Sequence, residues 1–176
     1  MTESQNVSVA ESAAQEFIVT RTFDAPLELV WKAHTEVEHL KQWWGPQGFT
    51  MLSCTLDLRP GGRFHYGMQS PDGGEMWGKF EFREIVPMEK LSYTVSFSDK
   101  DGNTARAPFS EEWPLRVLNT ATFEEQGGKT VLTLRGLPVD ATDEERKMFD
   151  GFHASMRQGY GGTLDQLEQH LAKEQA

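Results

Sequence analysis

Five histidines, one cysteine and a scatter of acids are the residues here with the types for catalysis or metal binding. His34, His39, His65, His153 and His170 form no His-x-x-x-His pair, and the lone Cys54 adds no zinc spacing. No metal and no cofactor are expected. No Gly-x-Ser-x-Gly, Walker loop or Gly-x-Gly-x-x-Gly is present, so no nucleophile elbow or nucleotide cradle is predicted. Cys54 sits on an apolar strand face, which predicts an inert thiol rather than an activated one. If acid–base chemistry occurs, it must come from scattered side chains that meet in space. Tyr66, His153, Arg116 and Glu112 are the first candidates, with a surface position on the last helix as the alternative for His153. His65 points opposite to Phe64 and Tyr66, toward the outer face or solvent.

The aromatic and methionine side chains have a clearer pattern. Phe64, Tyr66 and Met68 share one face of a strand, and Tyr93, Val95 and Phe97 share one face of another. Phe152 and Met156 fall on the sheet-facing side of a C-terminal helix, and Trp44, Trp77 and Trp113 stand where walls or a mouth would be. Together Trp44, Phe64, Tyr66, Met68, Trp77, Tyr93, Phe97, Trp113, Phe152 and Met156 suit the lining of an apolar binding cavity. The alternative is that the same residues fill a dry core.

The elements that must hold them follow from periodicity. Residues 1–15 read as a disordered leader and residues 16–173 as a single domain. Phe17 to Phe23 is β-branched and aromatic and predicts a strand. Asp24-Ala25-Pro26 starts a helix, with Asp24 as cap and Pro26 in the first turn. Thr35-Glu36-Val37-Glu38 has capping-box form and opens a second short helix that Gly45-Pro46 stops. Six strands follow. The first places Leu52, Cys54, Leu56 and Leu58 on one parity, and Pro60-Gly61-Gly62 and Pro71-Asp72-Gly73-Gly74 turn the chain. Ser98 to Glu112 is a polar loop whose length leans toward function or mobility.

Thr142-Asp143-Glu144-Glu145 is a second capping box. It opens one helix from Thr142 to Lys173, roughly 45 Å long and able to cross a sheet. Gly151, Gly159, Gly161 and Gly162 interrupt that helix at about 1 kcal/mol each relative to Ala. Such a cost implies close packing, a kink or space for a ligand. Strands followed by a helix give an α+β class: a curved, seven-stranded antiparallel sheet around a long C-terminal helix, with two short helices after the first strand.

Composition narrows the partners. Across 176 residues, 17 basic side chains face 27 acidic ones, a formal net charge of −10. Phosphate affinity needs clustered Lys and Arg, so nucleic acid and anionic membrane surfaces are not expected partners. No apolar run approaches a membrane span and the N-terminus lacks signal-peptide character. With a single cysteine, these features read as a cytoplasmic location. Monomer and homodimer both stay open.

The order of elements resembles the helix-grip fold of the START and birch-pollen-allergen (SRPBCC) superfamily. Within it, the chain resembles the bacterial branch named after the activator of heat-shock protein ninety ATPase. The residues that carry this are Phe23-Asp24-Ala25-Pro26 through Val30-Trp31, Trp43-Trp44-Gly45-Pro46, Asp57-Leu58-Arg59-Pro60-Gly61-Gly62-Arg63-Phe64, Pro71-Asp72-Gly73-Gly74-Glu75, Glu84-Ile85-Val86-Pro87-Met88-Glu89-Lys90-Leu91, Gly159-Tyr160 and Leu164-Asp165-Gln166-Leu167. The resemblance implies a hydrophobic cavity between sheet and final helix. It leaves three functions open: a stress-related binding protein for a hydrophobic small molecule such as a lipid or polyketide, a co-chaperone that activates a chaperone ATPase, and a cyclase- or hydrolase-like enzyme.

Overall fold

The computed structural model describes residues 15–176, so the leader reading lies outside the described residues except for Gln15. The chain runs β1 (Phe17–Phe23), α1 (Leu27–Thr35), α2 (Val37–Trp43), β2 (Thr50–Leu56), β3 (Arg63–Gln69), β4 (Glu75–Val86), β5 (Lys90–Ser98), β6 (Thr104–Ala105), β7 (Val117–Gln126), β8 (Lys129–Pro138), α3 (Asp143–Gly151) and α4 (His153–Glu174). All pairings are antiparallel, in the order β1-β8-β7-β5-β4-β3-β2. The eighth strand, β6, is two residues long and pairs only with the end of β5, inside the long polar loop. This is the α+β helix-grip arrangement. Among the described residues no helix is long and apolar enough to cross a membrane.

Alternation builds the core. Phe64, Tyr66 and Met68 on β3, Phe80 and Phe82 on β4, Leu91 and Tyr93 on β5, Ala121 and Phe123 on β7 and Leu132 and Leu134 on β8 all bury their side chains. Each takes every second position of its strand, as a sheet with one packed face requires. Leu164, Leu167 and Leu171 of α4 bury against them. Each such leucine contributes about 1.5–3 kcal/mol of burial.

Four local expectations are corrected. Leu52 does not join Cys54 and Leu56: a register shift between Met51 and Ser53 inserts one residue, puts Met51 on the packed side and leaves Leu52 44% exposed. Asp24 does not cap α1; Pro26 holds the N-cap position without any side-chain hydrogen bond. The capping box at Thr35 does not form either, because its hydroxyl donates back to the Trp31 carbonyl (2.8 Å) and Glu36 becomes the N-cap. The last helix is two helices. Phe152 leaves helical geometry (φ −96°, ψ 1°) directly after Gly151, the residue that holds a helix least well. The second capping box does form, with Thr142 and Glu145 bonding each other's backbone N–H.

Candidate functional site

Between the concave side of β3–β5, the start of β7 and α4 lies a cavity of about 270 Å³. Its walls are Tyr66 and Met68 of β3, Met76 and Gly78 of β4, Val95 and Phe97 of β5, Val117 and Asn119 of β7, Met156, Gly159, Tyr160 and Thr163 of α4, and the segment Trp44-Gly45-Pro46 after α2. Trp113, Trp77 and Ser96 complete the lining. None of these side chains carries a charge.

The Trp44 segment is fixed from both sides. Trp43 donates its indole N–H to the Ala33 carbonyl (2.8 Å), which anchors α2 onto α1. The Gly45 carbonyl accepts from the Thr163 hydroxyl (3.1 Å) and from Gln166 Nε2 (2.5 Å), which ties the turn to α4. Gly45 itself adopts φ +115°, and a Cβ there would lie 2.3 Å from the Met68 sulfur. The glycine therefore serves the turn and the approach of Met68 together. A second close approach occurs at Gly78, where a Cβ would meet the Tyr66 hydroxyl at 2.7 Å.

A polar belt crosses the interior. Asn119 Nδ2 donates to the Tyr160 hydroxyl (3.2 Å). Burial pushes the pKa values of Tyr66, Tyr93 and Tyr160 upward, and their mutual proximity adds to this for Tyr66 and Tyr93. All three phenols stay protonated and able to donate. Beyond the belt the interior narrows to a space of about 30 Å³ that Phe64, Tyr93 and His34 help line. Burial lowers the His34 pKa to about 4, only partly offset by its Nδ1 bond to the Val30 carbonyl (2.8 Å). The ring is neutral over the physiological range.

The aromatic and methionine pattern places most of its members here. Trp44, Tyr66, Met68, Trp77, Phe97, Trp113 and Met156 border the cavity. Trp77 does so at the edge, since its ring stacks on His65 (5.5 Å) and fills the place of a Gly67 Cβ on the other side of β3. His65 lies on that outer face but buried, with Nε2 3.2 Å from the Asp99 carbonyl. Phe64 and Tyr93 line the narrow inner space instead. Phe152 stacks on Phe109 (5.4 Å) and packs beside Trp113, one layer behind the cavity wall.

The four acid–base candidates do not converge. Tyr66 lines the cavity, but the His153 ring packs against Phe17 (5.6 Å) and Phe149 (5.2 Å). Arg116 lies 4.0 Å from Glu81, and Glu112 is exposed on the loop. Burial raises the Cys54 thiol to about 11, which leaves it unreactive. Among the described residues no three His, Cys, Asp or Glu side chains gather as a metal site.

Sequence reasoning missed Asn119, Tyr160 and Thr163. Asn119 had a signal: it is the polar residue in the inward series Val117, Asn119, Ala121, Phe123. Tyr160 had one in the three- and four-residue spacing of Phe149, Phe152, Met156, Tyr160, Leu164, Leu167 and Leu171, which marks one face of the C-terminal segment. The clasp on the long loop had none. Arg106 donates to Glu145 at the start of α3 (2.6 Å) and to the Glu111 and Trp113 carbonyls (3.4 Å each), so it pins the segment that carries Phe109 and Trp113.

Comparison with known proteins agrees with this architecture. A protein of Nitrosomonas europaea shares 28% identity over 91% of this chain and 96% of its own, with a TM-score of 0.72. One from Mycobacterium smegmatis shares 27% over 88% of each chain (TM-score 0.69). One from Arthrobacter aurescens shares 25% over 91% of this chain and 87% of its own (TM-score 0.74). No curated protein matches. The family model described as "Activator of Hsp90 ATPase homolog 1-like protein" matches residues 24–172. The match takes in both short helices, β2 to β8, the Trp44 turn and nearly all of α4, and the chain belongs to that family, within the SRPBCC superfamily.

Proposed function

We propose that the protein binds an apolar small molecule in the cavity between β3–β5 and α4. The observation that carries this reading is an uncharged space of about 270 Å³, walled mostly by aromatic and methionine side chains. Pockets for small molecules have this character: apolar walls with a few placed polar groups. Thioethers on the wall adapt to varied shapes. The cost of Gly159 in α4 is consistent with it, since Gly159 borders the cavity and a Cβ there would touch nothing within 4 Å.

The test uses N-phenyl-1-naphthylamine, a neutral fluorophore that brightens in apolar surroundings. Saturable one-to-one binding is expected, and Met156→Trp, which fills the cavity from α4, should weaken it by about tenfold or more, equivalent to about 1.4 kcal/mol. Unchanged affinity in a Met156→Trp variant with native circular dichroism would overturn the reading, as would no saturable binding to the wild type.

A further inference from the structure

Trp44 stands apart from its neighbours in one respect. The indole N–H of Trp43 meets the Ala33 carbonyl at 2.8 Å, and that of Trp77 meets Glu75 Oε1 at 3.0 Å. The Trp44 N–H is buried and has no hydrogen-bond partner among the described residues. An indole can only donate, and a buried donor left unmet is costly. Its ring forms a wall of the cavity, 5.7 Å from the Tyr66 ring at an interplanar angle of 75°.

The Tyr66 hydroxyl is the second donor. It occupies the space that a Cβ at Gly78 would take, inside the cavity wall. Burial raises the Tyr66 pKa and the neighbouring Trp44 N–H opposes this only in part, so the phenol keeps its proton and can donate. Two donors therefore border the cavity; of the wall's other polar groups, Thr163 already donates to the Gly45 carbonyl and Asn119 to the Tyr160 hydroxyl, and the Ser96 hydroxyl is a further buried group without a partner among the described residues. A carbonyl oxygen, with two lone pairs, can accept from both. A carboxylate, phosphate or ammonium would lose its hydration with no opposite charge on the wall to replace it.

Resting on the binding reading above, we propose that the cavity selects uncharged molecules bearing a carbonyl oxygen, held by the Trp44 indole N–H and the Tyr66 hydroxyl. The specificity is for ketones, aldehydes, esters or lactones on an apolar frame, over hydrocarbons of equal shape and over fatty or aromatic acids.

The experiment compares three compounds of one shape at pH 7 by calorimetry: 2-acetylnaphthalene, 2-isopropenylnaphthalene and 2-naphthoate. The ketone should bind about tenfold or more tightly than the alkene, as expected for a hydrogen bond to buried donors. The carboxylate should be weaker than the ketone by about a hundredfold, since its charge goes unpaired. The infrared C=O stretch of the bound ketone should lie below its position in hexane. Tyr66→Phe should reduce that shift and narrow the ketone's advantage over the alkene. Equal ketone and alkene affinities, tight naphthoate binding, or an unshifted C=O stretch in the wild type would each overturn the assignment while leaving the apolar-binding reading intact. Failure of all three compounds to bind would overturn both.

Discussion

Gly45→Ala should damage both the stability of the protein and its cavity, and a second glycine separates the causes. Gly45 (φ +115°) and Gly61 (φ +85°) share a left-handed backbone. An added Cβ at Gly61 meets nothing within 4 Å, whereas at Gly45 it meets the Met68 sulfur at 2.3 Å. Gly61→Ala thus measures conformational cost alone, about 1–2 kcal/mol. Gly45→Ala adds the cost of displacing the Met68 thioether, which is only 2% exposed and has the cavity it borders as its one way out. Overpacking of this kind costs about 1–3 kcal/mol more. At about 2–4 °C per kcal/mol for a chain of this size, Gly61→Ala should lower Tm by about 2–8 °C. Gly45→Ala should lower it by about 2–12 °C beyond that.

Function should split the same way. Gly45 connects Trp44 to the Thr163 and Gln166 bonds, so Gly45→Ala should weaken N-phenyl-1-naphthylamine binding while Gly61→Ala does not. Adding Met68→Ala removes the obstructing sulfur, so the double variant should be more stable than the sum of its single losses. Differential scanning fluorimetry and probe titration on wild type, Gly45→Ala, Gly61→Ala, Met68→Ala and the double variant decide the matter. Equal Tm losses for the two glycine variants, or strict additivity in the double variant, would refute the steric argument.

Two further outcomes follow from the interior and from α4. His34 has a folded pKa of about 4 against 6.5 for the free side chain, so the unfolded chain takes up a proton that the folded one resists. Its contribution is full above pH 6.5 and is lost as pH falls toward 4, by at most about 3 kcal/mol. Urea unfolding of wild type and His34→Gln at pH 7 and pH 4.5 should therefore show a smaller acid loss in the variant, and identical losses would contradict this origin. Gly159→Ala should stabilise the protein by about 1 kcal/mol, because it adds helix propensity where nothing lies within 4 Å of the new Cβ. A fall in Tm would show instead that the position is strained or crowded.

What could be read from sequence was what repeats at short range. Alternation in Phe64-His65-Tyr66-Gly67-Met68 revealed an inward face, and the Thr142–Glu145 box marked a helix start, because both signals lie within a few residues. The bulge at Leu52 could not be read, since a one-residue insertion is set by pairing with β3 rather than by composition. The helix break was only half legible: Gly151 marked a weak point, but Phe152 is held by stacking on Phe109, 43 positions away. Pairings between distant polar groups had no local trace either. Arg106 and Glu145 are 39 residues apart, and His39 Nδ1 and His170 Nε2, 2.8 Å apart in space, are separated by 131.

The division of labour along α4 accounts for a hollow interior in a protein with ample apolar residues to fill one. Its C-terminal half presents Leu164, Leu167 and Leu171, which close that end of the sheet as a packed core. Its N-terminal half presents Met156, Gly159, Tyr160 and Thr163 to the sheet's other end. A glycine and a threonine supply too little volume there to meet Met76, Gly78 and Val95 across the gap. Large aromatics from outside α4 stand around that gap without plugging it, because each is already engaged: Trp113 on Phe149 and Phe152, and Trp77 on His65. Trp44 is likewise held in place by T-shaped contacts with Phe64 and Phe80. The cavity is therefore a consequence of small residues placed opposite one another between two rigid ends, and substitutions that enlarge α4 at Met156 or Thr163 act on it more directly than any change on the sheet's outer face.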